Sequence, residues 1–267
     1  MHHQRSSGVL LHLTSLPGPF GIGTLGKPAF EFIDFLRAAG QTHWQILPYG
    51  PVSSISGNSP YMSLSAFAGN PLLIDPAQLM GAGFLRREQV ELPSNFSEYL
   101  VDFAAVRAFN EKILERAFLE FRLAGESAGF ADFCRAMSWV DDYALFMALR
   151  EEFRLAPWFG WPPDIARRQP EALAKWRKTL AERILFHTFV QFCFFSQWRI
   201  FWDYAHSHGV RIIGDIPIYV ALDSADVWAQ QECFLLDPET GQPTHVAGVP
   251  PDYFSETGQR WGNPLFK

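Results

Sequence analysis

Short apolar runs alternate along the chain with longer stretches of helical periodicity. Residues 8–13 predict a short buried β-strand, and residues 43–47 and 210–214 predict two further short strands. Residues 71–74 predict a further short extended piece. The tail over residues 246–267 is rich in Pro and Gly and predicts a loop.

Helical periodicity covers much of the remaining chain. Gly40 follows the first helical pattern, at a position where glycine commonly ends a helix. The most apolar stretch, residues 184–202, has nearly the length of a membrane span, but interspersed polar side chains favour a buried helix. The predicted helices cover residues 27–39, 102–123, 131–153, 170–207 and 224–231.

The order strand, loop, helix, strand predicts an α/β fold with parallel strands. Only about three or four strands of barrel quality can be counted, whereas a closed β/α barrel needs about eight. We therefore predict a partial (β/α)8 TIM-type barrel, incomplete in this chain, with a helical inserted subdomain. The first part of the barrel is expected at residues 1–85, the helical insertion at 86–180 and the continuation of the barrel at 181–267.

Composition and charge exclude several classes of function. A net charge of −6 argues against nucleic-acid binding, which recruits Lys and Arg. The three cysteines form no CxxC pair, which favours a reducing compartment over a disulfide framework or a zinc site. No signal-peptide core is visible near the N-terminus, so a cytoplasmic location is predicted. The nine tryptophans fit either a large aromatic core or platforms that stack on sugars.

Three features are candidates for a ligand site. Asp215 follows the apolar strand 210–214, and the carboxyl ends of barrel strands are where active sites form. Its carboxylate could accept sugar hydroxyls or cap a turn. The connection 48–68 is long enough to carry ligand contacts, although a structural turn is an equal alternative. Residues 248–262 could form an aromatic lid over a sugar or a loop that its aromatics fix to the core.

Two other patterns are better explained without a ligand. Residues 21–26 match GxGxxG, but the first glycine does not stand at a strand end and no ribose-binding acid follows. Asp203, His206 and His208 suggest a solvated helix end rather than a metal site. No cofactor and no metal are predicted.

Three stretches of the chain together resemble the amylomaltase family, the 4-α-glucanotransferases. They are residues 5–23, residues 44–48 with 59–61 and 65–75, and residues 214–220 with 223–228 and 247–265. The resemblance implies a β/α barrel with helical insertions. It also implies retaining transfer of α-1,4-glucan segments from a glucan or maltooligosaccharide donor to an acceptor sugar, with an Asp nucleophile and a Glu acid/base.

The resemblance also assigns roles to individual residues. Asp215 matches a carboxylate that supports the active site and binds sugar, and Ser59 and Tyr61 match donor-side substrate contacts. The loop 247–264 matches a segment that leans over bound glucan through Asp252, Tyr253, Phe254, Gln259 and Trp261. Many members have YGDSPY where this chain has SGNSPY at residues 56–61, so a serine replaces an aromatic there.

The family's nucleophile lies in an Arg-Ile-Asp-His stretch beyond the part that matches residues 261–264. The acid/base Glu and a third carboxylate follow later still, and the 267 residues contain no match to them. The resemblance therefore predicts that this chain alone has no transferase activity. Two alternatives stay open: a non-catalytic glucan-binding remnant and an α-glucan hydrolase of related barrel type.

Overall fold

Three short strands form a parallel sheet at the centre of the fold. The computed structural model describes residues 5–93, 96–97 and 99–267. The strands β1 (Gly8–Leu10), β2 (His43–Gln45) and β3 (Arg211–Ile213) lie side by side in that order. Both strand pairs are parallel, and Leu10, Gln45 and Ile213 are register partners. The predicted α/β fold with parallel strands is therefore confirmed.

Helices make up most of the described chain, and side chains cap several of them. At the start of the longest insertion helix, Asp102 Oδ1 accepts hydrogen bonds from Ala104 N and Ala105 N, both at 3.0 Å. Three predicted helices, 27–39, 102–123 and 224–231, agree with the structure to within two residues. The α-helices are α1 (Lys27–Ala38), α2 (Pro76–Gly81), α3 (Phe103–Ala124), α4 (Ala128–Ala136), α5 (Val140–Glu152), α6 (Pro163–Ala166), α7 (Pro170–Thr179), α8 (Ala181–Ser207) and α9 (Ala225–Ala229).

Two long predicted helices are each divided in the structure. The predicted helix 131–153 is interrupted between α4 and α5, where Met137 leaves helical geometry with φ −105° and ψ 78°. The predicted helix 170–207 is interrupted at Leu180, which is buried in the core between α7 and α8. Neither break contains Gly or Pro, so tertiary packing overrides a continuous apolar pattern at both places.

Residues 71–74 are not extended as predicted. Pro71–Leu73 forms a 3-10 helix, and Asn70 Oδ1 caps it by accepting a hydrogen bond from Leu72 N at 3.1 Å. Asn followed by Pro is a combination that starts helical turns, because the Asn side chain caps and Pro has the required φ.

The parallel sheet is covered on one face only. Trp44 is fully buried and packs against Phe32 of α1 and Phe201 of α8. On the opposite face Leu10 is 59% exposed and Ile213 is 44% exposed. The strand predicted as buried at residues 8–13 is therefore covered on one side only in the described chain, because α1 and α8 pack on that side. We call the uncovered side the open face.

Two buried glutamines of α8 bind the backbone of the segment that follows the long connection 48–68. Gln191 pairs with Gly69 through Gly69 N to Oε1 at 2.8 Å and Nε2 to Gly69 O at 3.0 Å. Gln197 pairs in the same way with the backbone of Asp75, at 2.7 and 3.1 Å. Each amide thus satisfies two buried backbone groups, which explains the polar side chains inside this apolar stretch. Within the described residues, no helix has the length and apolar character needed to cross a bilayer.

The abundant aromatic residues mostly fill two cores. One core lies between the sheet, α1, α3 and α8, and the other involves α5, α6 and α9. Trp44, Trp158 and Trp228 are among the largest fully buried side chains. Most of the aromatic composition therefore serves packing.

The tail is more regular than predicted. The strands β4 (Val246–Val249) and β5 (Gln259–Pro264) pair antiparallel, although the prediction was a loop over residues 246–267. β5 contains Gly262 and ends at Pro264, and neither residue favours a strand, so the local sequence conceals the hairpin.

The glycines of the GxGxxG match serve close packing inside the chain. A Cβ on Gly23 would collide with the carbonyl oxygen of Leu13, and a Cβ on Gly26 would collide with the Asp75 carboxylate. Thr24 Oγ1 donates to the same carboxylate at 2.7 Å. The segment is thus occupied by contacts with its own chain.

Asp203, His206 and His208 at the end of α8 do not converge on one point. Arg199 Nε donates to Asp203 Oδ2 at 3.4 Å. The His206 ring stacks on Trp202, and the His208 ring stacks on Tyr204 with centroids 4.0 Å apart.

Candidate functional site

A hydrogen bond joins the loops that follow two neighbouring strands of the parallel sheet. Asp215 comes two residues after β3, and Tyr61 lies in the long connection after β2. The Tyr61 hydroxyl donates to Asp215 Oδ2 at 2.8 Å. The carboxyl ends of parallel strands meet at one edge of a sheet, which is where β/α folds form their ligand sites. Two residues proposed from the sequence therefore lie together at that edge.

Local hydrogen bonds shape the connection 48–68 that carries Tyr61. Ser53 Oγ accepts a backbone hydrogen bond at 3.2 Å and begins a 3-10 turn. Asn58 follows with a positive φ of 57°, a conformation that Asn tolerates better than most residues. Its Oδ1 accepts a hydrogen bond from Arg107 Nη2 of α3 at 3.0 Å. The helical middle of the chain thus supports the loop from one side.

Ser59, Tyr61 and Asp215 keep hydrogen-bonding capacity for a ligand. Tyr61 is 46% exposed to solvent. The hydrogen bond to Asp215, with partial burial and the Asp215 charge, raises the pKa of Tyr61, because each of them disfavours the phenolate. Among the described residues, the one hydrogen bond that Ser59 Oγ accepts is a long bond from Tyr61 N at 3.4 Å. A carboxylate has about four lone-pair sites, so Asp215 can accept further bonds from ligand hydroxyls.

The segment that carries Asp215 is fixed to the helical middle of the chain. Asp223 accepts an ion-pair hydrogen bond from the buried Arg150 of α5 and another from Trp158 N at 3.2 Å. The Trp158 indole Nε1 donates to Leu222 O at 2.7 Å. These bonds hold the chain downstream of Asp215 in one position.

The loop between β4 and β5 presents two aromatic rings to solvent. Tyr253 is 99% exposed and Phe254 is 89% exposed, and their rings meet edge to face with centroids 5.9 Å apart. Asp252 Oδ1 accepts hydrogen bonds from Phe254 N and Ser255 N at 2.9 and 2.8 Å. Asp252 therefore shapes the turn that displays these rings.

Gln259 and Trp261 lie on β5 and are joined by a hydrogen bond. Trp261 Nε1 donates to Gln259 Oε1 at 3.1 Å, because residues two apart in a strand point to the same side. The Trp261 ring is 42% exposed and lies 6.4 Å from the ring of Tyr219. Tyr219 stands four residues after Asp215, so Trp261 contacts the same segment.

Asn263 holds the hairpin against both loops of the site. The buried Asn263 Nδ2 donates to Val220 O at 2.9 Å and lies 3.5 Å from the Met62 sulfur. Met62 is adjacent to Tyr61, and Val220 belongs to the segment that begins at Asp215. Asn263 carries no local signal of this role, because the Gly-Asn-Pro sequence around it is typical of a turn.

The predicted site residues thus form two groups. Tyr61 and Asp215 make direct contact, with Ser59 beside them, whereas the hairpin residues contact one another and the Asp215 segment. Within the described residues, Asp252, Tyr253 and Phe254 make no hydrogen bond or ring contact with Tyr61 or Asp215. The hairpin base is fixed next to the pair, and its tip extends into solvent.

Comparisons with known proteins show the family to which this α/β chain is similar. A family model described as 4-alpha-glucanotransferase matches residues 11–267. The chain is 51% identical to the 4-alpha-glucanotransferase of Synechocystis sp. and 49% identical to that of Thermus thermophilus, over its whole length. It covers 53% of each of those proteins, so it spans about half the length of these curated relatives.

A solved structure supports the same grouping. The amylomaltase from Streptococcus agalactiae in complex with acarbose superposes with a TM-score of 0.93 at 44% identity, covering 99% of this chain and 53% of that chain. The chain belongs to the 4-alpha-glucanotransferase family, whose members are glycosyl-transferring enzymes also called amylomaltases.

Proposed function

We propose that this chain forms one wall of a 4-α-glucanotransferase active site. A glucan would lie across the carboxyl edge of the sheet, with Asp215 accepting hydrogen bonds from sugar hydroxyls. Tyr61 and Ser59 would contact the donor side of the same sugar chain. The observation that carries this proposal is the 2.8 Å hydrogen bond between Tyr61 and Asp215 at that edge.

The hairpin would cover the bound glucan. Trp261 offers a half-exposed indole face, and such faces pack well against the C–H faces of sugar rings. Tyr253 and Phe254 would reach the glucan when the hairpin tip moves toward the pair, with Asp252 keeping the turn intact and Gln259 orienting the indole. A lid of this kind favours transfer over hydrolysis, since it excludes the water that competes with an acceptor sugar.

The proposed reaction is a retaining double displacement. A carboxylate attacks the anomeric carbon while an acid protonates the leaving glycosidic oxygen, and an acceptor hydroxyl then displaces the carboxylate and gives its proton to the same base. In this proposal neither the nucleophilic carboxylate nor the acid/base belongs to residues 1–267. Asp215 supports the site by binding the sugar, and the chain alone does not catalyse transfer.

We propose further that the sheet is part of a (β/α)8 barrel. Parallel sheets are ordinarily covered on both faces. Here Leu10 and Ile213 are exposed on the open face, and the outer edges of β1 and β3 carry no further strand among the described residues. In this proposal residues 86–180 form a helical insertion and residues 1–85 and 181–267 supply barrel segments.

A transfer assay tests the proposed assignment of the catalytic groups. The chain is incubated with maltotriose, and products are separated by chromatography. The expected result is neither released glucose nor longer maltodextrins. Longer maltodextrins would contradict the absence of the catalytic groups, and glucose without them would support the α-glucan hydrolase instead.

A binding assay tests the site itself. Calorimetric titration with maltoheptaose is expected to show binding that Asp215→Asn weakens. Equal affinity in the variant and the unchanged chain would contradict the proposed position of the glucan.

A further inference from the structure

His12 stands on the open face at the same edge of the sheet as Asp215. Leu10, Gln45 and Ile213 are register partners, and Leu10 and Ile213 are exposed on that face. His12 comes two residues after Leu10, as Asp215 comes two residues after Ile213. The pairing continues past the strand, since Leu11 N donates to Gln45 O at 3.0 Å and His12 keeps an extended backbone. Side chains two residues apart in an extended chain point to the same face.

The register also gives the spacing between the two side chains. Neighbouring strands lie roughly 4.8 Å apart, so residues at the ends of β1 and β3 are about 10 Å apart across the sheet. That span suits a sugar chain of more than one residue, which would contact both strand ends.

The two ring nitrogens of His12 differ in their surroundings. Nδ1 is buried and has no hydrogen-bond partner among the residues that the structure describes. Nε2, unlike Nδ1, is not among the buried atoms that lack a hydrogen-bond partner. An unpaired buried N–H is rarer in proteins than an unpaired acceptor, so the proton belongs on Nε2. Burial lowers the pKa of His12 to about 4, which keeps the ring neutral near pH 7.

A purely structural role for His12 would explain its unpaired, buried Nδ1 less well. Buried polar side chains in folded proteins almost always have a hydrogen-bond partner, and within the described chain His12 has none. Its neutral Nε2–H is a donor, whereas the Asp215 carboxylate after β3 is an acceptor. Sugar hydroxyls both donate and accept, so this combination is complementary to a glucan.

We infer that His12 is a glucan-contacting residue, which donates its Nε2–H to a sugar oxygen on the floor of the site. The inference rests on the proposed function and adds a third strand end to the site. His12, rather than Asp215 or Tyr61, would then recognise the part of the glucan that crosses β1.

Three variants test this assignment by maltoheptaose titration. His12→Phe keeps a ring of similar size and removes the donor, so it should weaken binding about threefold to tenfold, the range expected for one neutral hydrogen bond. His12→Gln places an amide N–H near the position of Nε2 and should retain most of the affinity. His43→Gln is the matched control, because His43 lies on the same face at the opposite, amino end of β2. It should bind like the unchanged chain.

Nuclear magnetic resonance of the histidine rings gives a second measurement on the unchanged chain. The ring signals of His12 should show the Nε2–H tautomer and shift on addition of maltoheptaose, while those of His43 stay in place. Binding of maltoheptaose without a shift at His12, or with full affinity in His12→Phe, would overturn the inference and leave the proposed function intact. Absence of any binding by the unchanged chain would overturn both.

Discussion

Two tyrosine–aspartate hydrogen bonds of the same length lie in different parts of the molecule. Tyr61 donates to Asp215 at 2.8 Å at the carboxyl edge of the sheet, and Tyr204 of α8 donates to Asp34 of α1 at 2.8 Å. The Tyr204 ring is covered by His208, stacked at 4.0 Å, and by Phe30, edge-on at 4.9 Å. Among the described residues no aromatic ring packs on Tyr61.

A tyrosine–aspartate hydrogen bond by itself therefore does not identify a ligand site. The Tyr204–Asp34 pair joins two helices, and its ring faces are used for packing. In the Tyr61–Asp215 pair the tyrosine is 46% exposed, and the pair lies where strand ends converge. Position and unused contact surface therefore distinguish a ligand site from a structural bond, and the following variants test that distinction.

The largest expected effect is on glucan binding at the Tyr61–Asp215 pair. Asp215→Asn and Tyr61→Phe should each weaken maltoheptaose binding about tenfold or more, because hydrogen bonds to charged groups contribute roughly 1.5–3 kcal/mol. Asp34→Asn and Tyr204→Phe make the same chemical changes at the other pair and should leave the affinity unchanged. Calorimetric titration of the four variants measures this. Equal losses at both pairs would mean that the changes act through stability.

The second expected effect distinguishes residues that stabilise the whole fold from those that also hold the Tyr61 connection in place for glucan binding. Gln191→Met and Gln197→Met should each lower the free energy of unfolding by about 2 kcal/mol, since each leaves buried backbone groups unpaired. Urea denaturation measures these losses. Gln191 fixes Gly69 at the end of the connection that carries Tyr61, whereas Gln197 fixes Asp75 further along. Only Gln191→Met should also weaken glucan binding; loss of affinity in both variants would contradict a local role.

The third effect concerns the aromatic surface of the hairpin. Trp261→Ala should weaken maltoheptaose binding about fivefold, because a well-placed aromatic contact contributes roughly 1 kcal/mol. Trp202→Ala is the matched control, since Trp202 on α8 is 45% exposed and Trp261 is 42% exposed. Titration of the two variants should show a loss for Trp261 alone. A result in which both bind normally would remove the hairpin from the site.

The smallest effect is on the titration of the two tyrosines. A neighbouring carboxylate raises the pKa of Tyr61 and of Tyr204, because it disfavours the phenolate. Asp215→Asn should lower the pKa of Tyr61 toward its ordinary value and leave that of Tyr204 unchanged, as measured by nuclear magnetic resonance. A folded-state pKa above the unfolded value contributes stability below pH ~10 that is lost as the pH rises through the folded-state pKa. Stability at high pH should therefore fall less steeply in this variant.

Sequence patterns predicted the parts of the fold that depend on local periodicity. The helices that became α1, α3 and α9 follow from apolar spacing, and the parallel direction of the strands follows from the alternation of strands with helices. The breaks at Met137 and Leu180 do not, because packing against distant residues decides them. The hairpin was hidden for a similar reason, as its strand β5 includes Gly262 and Pro264.

The sequence predicts those residues of the candidate site that directly follow an apolar strand. Asp215 stands out because it follows an apolar strand, whereas His12 lies inside the predicted strand 8–13 and follows a strand only because β1 ends at Leu10. The contact between Tyr61 and Asp215 required the order of strands in the sheet, which local patterns do not give. The anchoring roles of Asn263 and Arg107 depend on contacts distant in sequence, so no local signal announces them.

A crystal structure of the chain with maltoheptaose tests the central claim most directly. We expect a glucose residue within hydrogen-bonding distance of Asp215 and Tyr61 at the carboxyl edge of the sheet, with Trp261 beside the sugar chain. Maltoheptaose bound at another surface, with Asp215 and Tyr61 still joined only to each other and without sugar contact, would contradict it.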